Sequence, residues 1–190
     1  MSFEPETRGE DPPPRTLEAS LPLREDPHAA VAIIRTASDD PHYLLLRRAE
    51  NPRDPWSGHF ALPGGRREES DRDILETCIR ETLEETGFRL DPGQLVASLP
   101  LARAGGTTHA TVVAPFLFEI PSIPELILDT REIAESHWLT LGYLSDPANH
   151  EIAAMLPQNP ALRFPCIRVG EGAIWGFTYG LLRGLLGRLP

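Results

Sequence analysis

Cysteine is nearly absent from this 190-residue chain, which has two in all. Two residues exclude a disulfide framework and a cysteine-built zinc site; Cys78 and Cys166, both in apolar surroundings, read as buried free thiols. No apolar run is long enough to cross a bilayer, and the N-terminus has no secretory hydrophobic segment, so the cytoplasm is the expected compartment and no membrane partner is expected. Positive charge is also scarce: 18 Lys and Arg against 28 Asp and Glu leave a formal net charge of −10. That balance disfavours non-specific binding to nucleic acid or to an anionic membrane. No segment repeats, and the length suits one domain with a sizeable core.

Residues 1–27 are rich in Pro, Glu and Arg, with Pro12-Pro13-Pro14 among them and little to bury, and are expected to form a flexible arm before a domain spanning 28–190. Residues 29–34 and 43–47 read as two strands around a turn at Asp39-Asp40-Pro41. Two further strands are expected over 95–101 and 111–120, with Pro115 making part of the second an edge or bulge. A connector at 122–130, a strand over 133–139 and a short helix from 141 to 144 follow. Over 174–189, Phe177, Leu181, Leu182, Leu185 and Leu189 recur at helical spacing, and Gly180, Gly184 and Gly187 would allow close approach. This reads as a helix closing the core, a homodimer contact or a membrane surface being the other readings. Strands on both sides of a central helix give an α/β class. His59, His109 and Trp175 read as packing residues.

The central helix carries the most information. Between Asp71 and Thr86 there is no Pro or Gly, and Ile74, Leu75, Cys78, Ile79 and Thr82 form one buried stripe. Gly87 stops the helix. With Ile74 at zero and about 100° per residue, Glu81 and Glu85 fall near about −20° and +20°, and Glu84 near about −80°. A merely solvated acidic face would lie opposite the stripe, where Glu76 and Arg80 fall. Glu81, Glu84 and Glu85 instead crowd one ridge, where like charges at i, i+3 and i+4 repel. A hard cation such as Mg2+, held by carboxylates together with phosphates and water, would offset that repulsion.

This helix and the glycine-rich loop before it, Gly64-Gly65-Arg66-Arg67-Glu68-Glu69-Ser70-Asp71, resemble the signature of the Nudix family of diphosphate hydrolases, G-x5-E-x7-R-E-U-x-E-E-x-G-U, where U is a bulky apolar residue. Gly65 opens the match, and Arg80-Glu81-Thr82-Leu83-Glu84-Glu85-Thr86-Gly87-Phe88 close it. Asp71 stands where the first Glu is expected, with eight residues instead of seven before Arg80, and Thr82 replaces a bulky apolar residue. Glu68 and Glu69 are neighbours that could stand in for that first Glu. Leu44-Leu45-Leu46-Arg47-Arg48-Ala49 and the run from Arg53 to Gly65 are similar to the subset of the family known as coenzyme A diphosphatases, and Arg131 to Leu139 resembles the family's E-x2-E-x2-W strand.

The resemblance implies a Nudix-type α/β/α sandwich with a mixed central sheet. It also implies a metal site in which Glu81 and Glu85 bind Mg2+ or Mn2+, Glu84 completes the shell or acts through water, and the Gly65 carbonyl is a further ligand. Gly64 and Gly65 would let the backbone approach metal and phosphate, and Arg80 would pin the loop through an ion pair. Glu84 and Glu132 are the candidates for general base; Glu135 reads as a solvated carboxylate. Arg47, Arg48, Arg53, Arg66 and Arg67 flank the loop as a basic cluster whose guanidinium forks suit phosphate oxygens; alternate strand faces with half the set solvated is the other reading.

The expected partner is a small nucleotide-derived diphosphate, with coenzyme A or its thioesters leading and ADP-ribose, NADH or dinucleoside polyphosphates behind. A non-catalytic nucleotide sensor on the same fold would be expected to lack the carboxylates, and isopentenyl-diphosphate isomerase would need a catalytic cysteine that neither Cys78 nor Cys166 supplies.

Overall fold

The computed structural model describes residues 26–51, 56–105, 110–156 and 159–187. The expected arm therefore lies almost wholly outside the described residues, as do Arg53, His109 and Leu189. Strand β1 (Ala29–Thr36) is at the centre, buried along nearly its whole length. It pairs in parallel with β7 (Thr111–Ile120) from Ala29↔Val113 to Thr36↔Ile120. Near-continuous runs of Ala, Val, Ile, Leu and Phe suit strands covered on both faces.

The other ladders of this sheet are antiparallel. Strand β2 (His42–Arg48) pairs with β1, with the two-residue β3 (Phe60–Ala61) and with β8 (Ile133–Thr140). Strands β5 (Leu95–Ser98) and β6 (Ala102–Ala104) divide the far edge of β7 between them. β7 is thus an interior strand. Pro115 sits at the break where the partner changes from β5 to β6, and its carbonyl accepts from Leu99 N–H at 2.9 Å. The missing N–H of proline is tolerated at such a gap, so the proline does not force the strand to the edge.

The expected loop at Gly64-Gly65 is a strand, β4 (Gly64–Arg66), which pairs with Ala29–Val31 of β1. β1 therefore shares one edge between β2 and β4, and the sheet forks there. Gly64 is required at this point: its φ is +143°, and a Cβ would lie 2.1 Å from the Ala30 carbonyl oxygen.

Helix α1 (Ile74–Thr86) covers one face of the sheet. It begins three residues after Asp71 because Asp73 is its N-cap, accepting from Glu76 N–H at 2.8 Å; Gly87 ends it in the left-handed conformation at φ +66°. Cys78 and Ile79 pack with Ala30, Ile34, Leu44 and Phe118. Burial pushes the Cys78 thiol up, and both cysteines are free and buried.

The opposite face carries α2 (Leu141–Ser145), a second sheet in the order β11-β10-β9, and α3 (Gly176–Leu185). These strands, β9 (His150–Ala154), β10 (Arg163–Val169) and β11 (Gly172–Trp175), lie antiparallel. Leu182, Tyr179, Ile174 and Ile167 pack there against Ile33, Leu45 and Leu117. The molecule is an α/β/α sandwich with a mixed sheet, as expected. The closing helix is shorter than expected, since Ile174 and Trp175 belong to β11; Trp175 packs against His59, Trp56 and Phe164. Gly180 and Gly184 give no close approach, since a Cβ on either would meet nothing within 4 Å.

Candidate active site

The carboxylates of α1 stand where the fork in the sheet meets the helix. Glu85 is 5% exposed, and Gly64 N–H donates to its Oε2 at 2.9 Å. Burial, partly countered by that hydrogen bond, pushes its carboxyl up to about 8. Glu81 is also raised by burial, with Arg80 opposing. The Glu81 carboxylate lies over Gly65, where a Cβ would come within 2.4 Å of it. A side chain on either glycine would therefore collide with the structure that holds an acidic residue.

The connector after β7 brings more acid to the same place. Ile127 N–H donates to Thr86 O at 2.8 Å and Asp129 N–H to Glu85 O at 3.0 Å, which ties the connector to the last turn of α1. Asp129 and Glu132 thereby line one cleft with Glu81, Glu84 and Glu85. Asp129 was not among the expected residues, because its place depends on a long-range return of the chain to the end of α1. Its carboxyl is held low by the neighbouring Arg131 guanidinium.

Arg80 does not sit on a solvated face; only 19% of its side chain is exposed. It donates to both oxygens of Asp71 at 2.9 and 3.0 Å, to the Arg66 carbonyl at 3.0 Å, and pairs with Glu81 and Glu84 at 3.0 and 3.1 Å. The expected ion pair to the loop is present, and it extends to the acidic ridge. Asp71 also accepts from Glu68 N–H and Thr77 Oγ1. Hydrogen bonding from Arg80 is the main cause that holds its carboxyl well below the usual range. Glu68 lies 4.0 Å from Arg80 with its side chain 64% exposed, so Asp71 is the closer partner of the guanidinium.

The described arginines do not form one cluster. Arg47 pairs with Glu135 at 2.8 Å and donates to Gly58 O. Arg67 braces the carbonyls of Asp71 and Arg72, and Arg66 is exposed. Arg48 is close enough to Glu85 to favour its ionised form. Glu135 is held by Arg47 and His137 and so has a structural place.

No three His, Cys, Asp or Glu side chains among the described residues are already gathered around one point. The residues nevertheless suit a hard divalent cation. The donors are all oxygen, the bare backbone of Gly65 lets the Glu81 carboxylate lie against the strand, and a buried carboxylate with a raised pKa gains most from a nearby positive charge.

A family model described as the NUDIX domain matches residues 26–158. A Nudix hydrolase named NudL and described as uncharacterized, from Photorhabdus laumondii, is 26% identical over 175 residues, covering 92% of this chain and 88% of its own. An uncharacterized protein of Schizosaccharomyces pombe is 35% identical over 112 residues, 56% of this chain; the match spans only 34% of that protein. Among solved structures, a MutT/nudix family protein from Enterococcus faecalis aligns with a TM-score of 0.58 at 19% identity, covering 86% of this chain and 62% of that one, which speaks to the fold alone.

Proposed function

We propose, from the premise that this chain belongs to the NUDIX domain family, that it hydrolyses a diphosphate bond in a nucleoside diphosphate linked to a second group, with a divalent metal and with coenzyme A or its thioesters as the leading substrate. The observation that carries this reading is the convergence of Glu81, Glu84, Glu85, Asp129 and Glu132 on one cleft beside a strand of two glycines.

Mg2+ or Mn2+, when bound, would neutralise the diphosphate and lower the pKa of attacking water. Glu81 and Glu85 would hold the ion, with Glu84 and the Gly65 carbonyl as further oxygen donors. Gly64 N–H donates to Oε2 of Glu85 and so orients the carboxylate that would hold the ion. Arg80 holds the loop from Arg66 to Asp71 against the helix and keeps Glu81 and Glu84 on the cleft side. Arg48, within electrostatic reach of Glu85, would be the described arginine to meet a phosphate oxygen. Glu132, exposed at the cleft, and Glu84 are the two candidates to take the proton from water. The preference for coenzyme A is supported by the resemblance of residues 44–49 and 53–65 to that subset. A non-catalytic sensor is disfavoured because the carboxylates are intact.

The test is a panel of coenzyme A, ADP-ribose, NADH and dinucleoside polyphosphates incubated with Mg2+ or Mn2+, with products read by mass. Release of 3′,5′-ADP and 4′-phosphopantetheine is expected. AMP with ribose phosphate would move the assignment to ADP-ribose, and no turnover of any member would overturn the hydrolase reading.

A further inference from the structure

Helix α1 buries three threonines completely, Thr77, Thr82 and Thr86. A hydroxyl shut away from water has to find an acceptor, and inside a helix the usual one is the carbonyl four residues back. Thr82 and Thr86 follow that pattern, donating to Cys78 O at 2.8 Å and to Thr82 O at 2.6 Å. Thr77 departs from it. Its Oγ1 stands 3.4 Å from Asp73 O, the carbonyl four residues back, and 2.9 Å from Oδ2 of Asp71. A hydroxyl carries one hydrogen, and the shorter contact is to a carboxylate, so the bond goes to Asp71. Thr77 is not among the residues that line the acidic cleft.

Its partner is nonetheless tied to that cleft. Asp71 is 5% exposed, and its carboxylate receives Thr77 Oγ1 and Glu68 N–H on Oδ2, and Arg80 Nε and Nη2 on Oδ1 and Oδ2. Four donors meet a group that offers about four lone-pair sites, which fixes its rotation. Arg80 is held almost as fully. Besides its two bonds to Asp71 it donates through Nη2 to Arg66 O at 3.0 Å and through Nη1 to Glu84 Oε2 at 3.1 Å, and Nη1 pairs with Glu81 Oε1 at 3.0 Å. A planar guanidinium so held cannot turn away from Asp71 without withdrawing Nη1 from the two glutamates. It engages one oxygen of each, and so sets how the other is presented to the cleft.

Resting on the hydrolase reading above, we propose that Thr77 is a positioning residue of the acidic site: its hydroxyl orients Asp71, Asp71 sets the plane of Arg80, and Arg80 orients Glu81 and Glu84 toward a divalent cation. Satisfying a buried hydroxyl on α1 does not require Asp71, as Thr82 and Thr86 show. Turning it there places a third donor on Oδ2 and tightens the carboxylate on which the guanidinium rests.

The test measures Mn2+ affinity by calorimetry, with urea unfolding alongside, on wild-type protein, Thr77→Val, Thr77→Ser and Thr82→Val. Valine keeps the branched shape and loses the hydroxyl; Thr82→Val makes the same change at a threonine bonded only within the helix. Thr77→Val should weaken Mn2+ binding about fivefold, less than the roughly 10–100-fold of residues that bond a metal ligand directly, because two residues intervene. Thr77→Ser should return the affinity to within about twofold of wild type, and Thr82→Val should stay within the same margin. Should Thr77→Val not fold, Thr77→Ala carries the same expectation. A folded Thr77→Val that loses stability in urea yet binds Mn2+ as the wild type does would overturn the proposal, since the hydroxyl would then be structural alone. Equal losses of affinity in Thr77→Val and Thr82→Val, or a serine variant as weak as the valine one, would overturn it too. No Mn2+ uptake by the wild type would instead remove the hydrolase reading, and this inference with it.

Discussion

Helices α1 and α3 cover opposite faces of one sheet and are held there by different physics. α1 has a side-chain N-cap at Asp73, a left-handed glycine C-cap at Gly87, and a polar clasp from Asp71 through Arg80 to Glu81 and Glu84. α3 has no side-chain cap, and the position before it is Trp175. A Cβ on its Gly180 or Gly184 would meet nothing within 4 Å, and it is held by the buried faces of Tyr179 and Leu182. The helix assigned to chemistry is fixed in rotation and register by directional bonds, whereas the covering helix needs only to bury area.

The largest expected effect is on turnover. Glu85→Gln keeps the shape and the acceptor for Gly64 N–H but removes the charge, and should lower kcat by on the order of a hundredfold or more while leaving the circular dichroism spectrum unchanged; an active variant would break the assignment of the acidic ridge.

Next comes the clasp of α1. Asp71→Asn should cost about 2–4 kcal/mol in urea unfolding, because it leaves a largely enclosed guanidinium without its carboxylate. The sign with pH follows from the depressed folded-state value of Asp71. Its stabilisation is present in full above its ordinary value of 3.8 and is lost as pH falls below that value, so Asp71→Asn should flatten the acid limb of the stability curve.

On the other helix, Leu182→Ala should cost about 2–4 kcal/mol through an apolar cavity alone, with no change in the acid limb. The smallest effect runs the opposite way. Gly180→Ala, whose Cβ would enter open space within a helix, should stabilise by about 0.5–1 kcal/mol and raise Tm by a few degrees. Gly64→Ala, by contrast, cannot be accommodated without moving β1.

Periodicity located α1, and its angular spacing put Glu81 and Glu85 at the edge of the apolar stripe; Glu85 lies within the buried face, because Thr77 beyond it is buried as well. Strands β1, β2, β7 and β8 and helix α2 were legible from runs of branched and aromatic residues between turn residues. The short strands β3, β4 and β6 were not, because two or three residues carry no period. Asp129 was illegible for another reason: its approach to Glu85 is made by backbone bonds between distant segments. The arginines gave a composition signal without a direction. Only pairing in the sheet decides that Arg47 meets Glu135 while its neighbour Arg48 lies within electrostatic reach of Glu85.

The most direct test is calorimetric titration of Mn2+ into the wild-type chain and into Glu81→Gln near neutral pH. Saturable binding by the wild type, weakened at least about tenfold in the variant, is the predicted result. Identical isotherms for the two proteins, or no uptake by either, would contradict a cation site on the α1 ridge.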